Sequence, residues 1–156
     1  VHIEFIAPPQ SDPRKALTQA LIKHIPPNST IVVFNAHFET SVLKQLGEFS
    51  PDANEHLLSL THQIVDLMIP FQNFHYYAPI MKGSHSIKSV LPALIPEFSY
   101  DHLAISNGEL AAKHYAHLFH SSDLSEFEAL KPDFLAYCEL DTLAMVKLLD
   151  KLWQVI

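Results

Sequence analysis

The run LKPDFLAYCELDTLAMVKLLDKLW, Leu130 to Trp153, narrows what this chain can become more than any other stretch. Its periodicity predicts a long helix with Pro132 in the first turn, where a missing N–H costs nothing. Leu135, Cys138, Met145, Leu149 and Leu152 recur at the three-and-four spacing of a buried stripe. Beside that stripe Tyr137 and Asp141 stand one turn apart on a common face. Phe134, Met145 and Leu148 neighbour them, so the Asp141 carboxylate is expected at the edge of apolar surface, where it needs a cation, a metal or hydrogen bonds. Glu139 lies roughly 200° around the helix from Tyr137 and belongs to another face. In isolation the window also reads as an ordinary helix with a partly exposed aspartate and a core tyrosine.

A second stretch adds to this one. Ile31-Val32-Val33-Phe34 is short, apolar and β-branched, with Pro26-Pro27-Asn28-Ser29 before it and Asn35 after it. It predicts a buried central strand. Helical periodicity then runs from His37 through Leu43 and Leu46 to Gly47, which reads as a C-cap. Asn35-Ala36-His37-Phe38-Glu39 therefore covers a strand's carboxyl end and the first turn of a helix, a position at which open α/β sheets place ligands. Glu39 is equally a first-turn glutamate favoured by the helix dipole.

Asn35 with Glu39, and Tyr137 with Asp141, resemble the second and third motifs of the DnaQ-like 3′–5′ exonucleases, in the tyrosine branch of that ribonuclease H-like superfamily. Glu39 stands where most members carry Asp. The wording FNAHFETSVLKQL, MKGSHSIKSVLPAL, NGELAAKHYAHL and YCELDTLAMVKLL is similar to an uncharacterised bacterial family of the same superfamily, over nearly the whole chain. The resemblance implies an α/β ribonuclease H-like fold, a mixed sheet flanked by helices, formed by a single domain over residues 1–156. It implies metal-dependent hydrolysis of phosphodiester bonds at single-stranded nucleic-acid ends, with two Mg²⁺ or Mn²⁺ ions. Carried over, Asp141 and Glu39 are the metal ligands, Tyr137 orients the attacking water, and Phe38 packs beside the terminal nucleotide, with Asn35 on the substrate side.

The superfamily's first motif, Asp-x-Glu, does not occur in the chain. His2-Ile3-Glu4 comes nearest but lies too close to Asn35, because only one helix, Asp12 to His24, fits between them. Val1 to Ile6 is better read as a third strand. The expectation is thus an N-terminally truncated domain that lacks two strands and half its metal ligands, is inactive by itself, and self-associates through an exposed sheet edge.

At 156 residues and 48% hydrophobic the chain has enough apolar material for a core. It contains no apolar run near the length that spans a membrane. Its one cysteine, Cys138, excludes an internal disulfide, is expected to be buried, and fits a reducing cytoplasm. A formal charge of −7 argues against broad adhesion to nucleic acid, although metals can bridge carboxylates to a phosphate.

In chain order, Ser11 or Asp12 caps a helix with Pro13 at its first position and Leu17, Leu21 and Ile25 inward. Ser50-Pro51-Asp52 opens another through Leu60, and Gln63 to Met68 reads as a strand with Asp66 capping the turn after it. Phe71 to Lys82 is an aromatic loop that either stacks bases or plugs the gap between sheet and helices. His85 to Leu94 predicts a helix with Ile87, Val90, Leu91 and Leu94 inward. Ser86 and Lys88 in its first turns either meet a phosphate or are solvated surface. Asn107-Gly108 starts a helix bearing His114, His117 and His120, and Ser122-Asp123 closes the loop after it.

Two rivals stand beside the exonuclease. One is an interaction or regulatory module that keeps the fold without the chemistry. The other is a zinc module built on the three histidines, although steps of three turn the last about 120° from the first and spoil a shared ion.

Overall fold

A computed structural model of the chain describes residues 1–121 and 124–155. Ser122-Asp123, expected to close a loop, lies outside the described residues. Among those described the backbone is mostly helical, 61%, and the β structure is two strands of three residues each. This overturns the expected ribonuclease H-like mixed sheet flanked by helices.

The reason begins at the N-terminus. Val1 to Ile6 alternates as a strand should, but it forms no strand and leaves Ile3 52% and Phe5 43% exposed. A strand exists only with a partner for its backbone groups, and none lies alongside this segment among the described residues. The strands that do form, β1 (Ile31–Val33) and β2 (Ile64–Asp66), pair in parallel with Ile31 opposite Ile64 and Val33 opposite Asp66.

Helices carry the rest. α1 (Arg14–His24) follows Pro13, and Asp12 accepts the Arg14 N–H at 3.0 Å, so the start comes two residues later than Asp12. α2 (Ala36–Phe49) runs on past Gly47 instead of stopping there. Gly47 is inside the helix because Asn54 of α3 (Pro51–Thr61) approaches it, its Oδ1 only 2.5 Å from where a Cβ would stand. Ser50 ends α2 by donating its N–H to Leu46 O, and Pro51 begins α3 at a position that needs no donor. Leu43, Leu46, Leu57 and Leu60 close the core between α2 and α3.

The stretch expected as one aromatic loop holds a short helix α4 (Ile69–Gln72) and a 3₁₀ turn, Pro79–Met81. Phe71 is fully buried there, stacked on Phe34 and edge-on to Tyr76, whereas Phe74 and Tyr77 face outward as a pair 5.7 Å apart. The loop therefore plugs the core with some of its aromatics and exposes others. α5 (Ile87–Leu94) buries Val90, Leu91 and Leu94, and α6 (Gly108–His120) is capped by the Asn107 side chain, which accepts from the Leu110 N–H at 2.8 Å.

α7 (Leu124–Trp153) is a continuous helix of 30 residues, so Pro132 lies in its interior and not in its first turn. Residues ahead of the proline stay helical because Phe127 is buried with Ile105, Leu118 and Phe134 in a separate core. The buried stripe is also rotated from the expected one. It runs through Phe127, Phe134, Ala144 and Leu148, while Cys138 is exposed. Two cores meet α7 on that face, and Tyr137 packs against both. No helix among the described residues is long and apolar enough to cross a membrane.

Candidate functional site

The turn from β1 into α2 positions the first part of the site. Asn35 has φ +83°, a left-handed conformation that asparagine tolerates better than most residues. Its own side chain caps nothing. The cap comes from the neighbouring strand: Asp66, opposite Val33, accepts the N–H groups of Asn35 at 3.0 Å and Ala36 at 2.9 Å. It also accepts the Met68 N–H at 2.9 Å, the local turn that the sequence leads one to expect. One carboxylate thus fixes both the start of α2 and the turn after β2, at a helix end whose dipole favours negative charge.

Glu39 is one turn into α2 and half-buried. Asp141 approaches it from α7, and the two line one cavity of about 300 Å³ together with Phe34, Ile87, Thr142 and Met145. Burial, then the charge of Asp141, then that of Asp66 push the Glu39 pKa above the ordinary carboxylate value. Among the described residues no basic side chain forms an ion pair with any of the three. Their donor atoms do not draw together as a trio within 4.8 Å. The cavity therefore presents two like-charged oxygen ligands with no cation of the protein's own. Hard carboxylate oxygens are the donors that Mg²⁺ and Mn²⁺ take, so the pair has the donor chemistry of a partial ligand set for such an ion.

Asp141 is in line with the buried stripe of α7, not beside it. Its partner is Tyr100, which the sequence reading did not find. The Tyr100 hydroxyl donates to Asp141 Oδ1 at 2.6 Å, and the residue is only 5% exposed. The Tyr137 ring packs 6.3 Å from that of Tyr100, but Tyr137 does not itself line the cavity. Burial first and Asp141 second push both phenols well above the usual tyrosine value, so both remain protonated donors. Cys138 lines the same cavity; desolvation, Asp141 and Glu4 push its thiol up as well. That leaves it a poor nucleophile at neutral pH.

The other candidates separate. Asn35 and Ser86 line a neighbouring cavity of about 440 Å³, which shares Phe34 and Ile87 with the first. Phe38, 62% exposed, and Lys88, also exposed, line neither. His114, His117 and His120 do not converge, and His117 instead lies 3.4 Å from Glu126. Three metal-capable side chains do gather elsewhere among the described residues, His2, Glu4 and Glu139, all of them exposed.

Tyr100 carried no signal in the sequence. It lies 41 residues from Asp141, in an irregular segment without periodicity or motif.

No solved structure matches the chain. The chain is 30% identical to "Uncharacterized protein UU173" of Ureaplasma parvum serovar 3, over 74% of its own length. It spans about a fifth, 19%, of the length of that relative. A family model, "Domain of unknown function (DUF2779)", matches residues 1–86, which include β1, β2 and Glu39. By that match, over more than half of its residues, the chain belongs to the DUF2779 family.

Proposed function

We propose that this chain carries part of the active site of a metal-dependent 3′–5′ exonuclease acting on single-stranded nucleic-acid ends. The observation that carries the proposal is the shared cavity of Glu39 and Asp141, two carboxylates from elements about a hundred residues apart, with no basic partner among the described residues. Carboxylates collected in this way repel one another and are costly unless a cation joins them. A divalent ion, when bound, neutralises charge on the scissile phosphate and lowers the pKa of water.

The chain's own residues supply the rest. Asp141 and Glu39 would hold the ion, and the Tyr137 hydroxyl, one helical turn from Asp141, would orient the attacking water. The water oxygen bonds to phosphorus as the bond from phosphorus to the 3′ oxygen breaks, the water's proton ends on that 3′ oxygen, and the released nucleotide carries the phosphate at its 5′ oxygen. Asn35 and Ser86, in the adjoining cavity, face the substrate backbone, with Phe38 and Lys88 outside it. The lone Cys138 suits a cytoplasmic setting, where thiols stay reduced.

Two carboxylates leave most positions of a divalent ion to water. The 156-residue chain by itself is therefore expected to show no nuclease activity in Mg²⁺ or Mn²⁺. In a polypeptide extended upstream, degradation from the 3′ end is expected. Asp141→Asn should abolish it, and Tyr137→Phe should reduce it roughly ten- to a hundredfold, the cost of one group that places the water. Activity unchanged by Asp141→Asn would refute the assignment. Sustained inactivity of the extended polypeptide would favour an interaction module, a reading that the −7 charge also favours.

A further inference from the structure

We infer that Tyr100 is the positioning residue of this site: its hydroxyl occupies Asp141 Oδ1 and holds the carboxylate on the cavity it shares with Glu39. The inference rests on the metal-site reading above. The phenol donates at 2.6 Å, a distance typical of an O–H bonded to an ionised oxygen. Tyr100 is itself fixed, being buried in the core with Leu91, Leu94 and Leu148. Among the described residues no basic side chain pairs with Asp141, which stands among apolar residues of the α7 stripe, so a neutral donor is what satisfies it without cancelling its charge.

A cation partner would compete with a metal. A phenol at one oxygen fixes the side-chain rotamer and leaves the charge available to an ion. Tyr137, on the same helix as Asp141, moves with it. Tyr100 comes from a separate segment and ties the carboxylate to the core. Partners that orient a metal ligand in this way typically contribute ten- to a hundredfold in metal affinity.

The test is a titration of Mn²⁺ into the full chain, followed by the electron paramagnetic resonance signal of the free ion. Wild type, Tyr100→Phe, Asp141→Asn and Tyr115→Phe are compared. Tyr115→Phe is the control, since it also removes a buried-side hydroxyl bond, to Ala7 O at 2.9 Å, away from the site. Tyr100→Phe should weaken Mn²⁺ binding about tenfold, Asp141→Asn should eliminate it, and Tyr115→Phe should leave it unchanged.

A Tyr100→Phe affinity equal to wild type, with Asp141→Asn inactive in binding, would overturn the role of Tyr100 alone. Binding that survives Asp141→Asn, or is absent from wild type, would overturn the metal site and this inference together. A measurement on the unaltered chain guards against a variant that fails to fold. With Cζ-labelled tyrosine, adding diamagnetic Mg²⁺ should shift the Tyr100 and Tyr137 resonances and leave Tyr115 in place. An unmoved Tyr100 signal would overturn the proposal.

Discussion

Glu39 shows how a side chain reports its surroundings. Its carboxyl is half-buried and faces Asp141 and Asp66, so its pKa in the folded chain lies above the unfolded value. For an acid shifted upward, folding favours the protonated form, and stability is lost as pH rises through the ordinary carboxylate range toward the raised value. Glu39→Gln removes the charge while keeping the shape. At pH 7 it should raise Tm by about 2 °C, a small gain because solvent screens a half-exposed group. The gain should vanish below about pH 4, where wild-type Glu39 is protonated in both states. Thermal melts of the two proteins across pH 3 to 8 measure this; a pH-independent difference would mean that charge is not its source.

Asp66 matters through the elements that it joins. β1 and β2 are three residues each, too short to hold a register by their own ladder. The Asp66 carboxylate bonds Asn35 and Ala36 across the strands and Met68 beyond β2, so it fastens the sheet to α2. Asp66→Ala leaves three N–H groups without their acceptor, and water reaches them only in part. The expected loss is about 2–4 kcal/mol in urea unfolding, against less than about 1 kcal/mol for Val65→Ala. Val65 adjoins it on the same strand, but its side chain is 47% exposed. Because Glu39 follows one turn after the Asp66 cap, the same substitution should also disorder the cavity.

For the molecule as a unit, the open question of surface is the sheet. The bonds from Ile31 N to Gln63 O and from Leu67 N to Val33 O use the inner edge of β1, so the Val32 N–H and C=O point the other way. Neither strand has a second strand partner among the described residues. An edge of that kind recruits another chain. We expect sedimentation to show concentration-dependent dimers, and Val32→Pro to weaken them at least about tenfold by removing the outward N–H while sparing the bonds to β2. A monomer at every concentration would show that this edge is covered or too short to pair.

Local patterning is enough to find most helices and the strand at Ile31, and it singles out Glu39 and Asp141, which the fold brings to one cavity. Each depends on interactions within a few residues: periodicity, β-branching, proline and asparagine at helix starts. The stripe on α7 was legible as a stripe but was misplaced by about one side chain. Its rotation depends on which cores press against it, and Phe127 and Phe134 answer to Ile105 and Leu118, far away in sequence. Val1 to Ile6 has a strand's alternation and no strand, because alternation describes a side-chain pattern and a strand also needs a hydrogen-bonding neighbour. Gly47 reads as a stop signal until Asn54 is seen beside it. The partners of the site, Tyr100 for Asp141 and Asp66 for the start of α2, are isolated side-chain contacts across 41 and about 30 residues. Such contacts repeat nowhere along the chain and leave no period or spacing to read, so only the packing of the helices decides them.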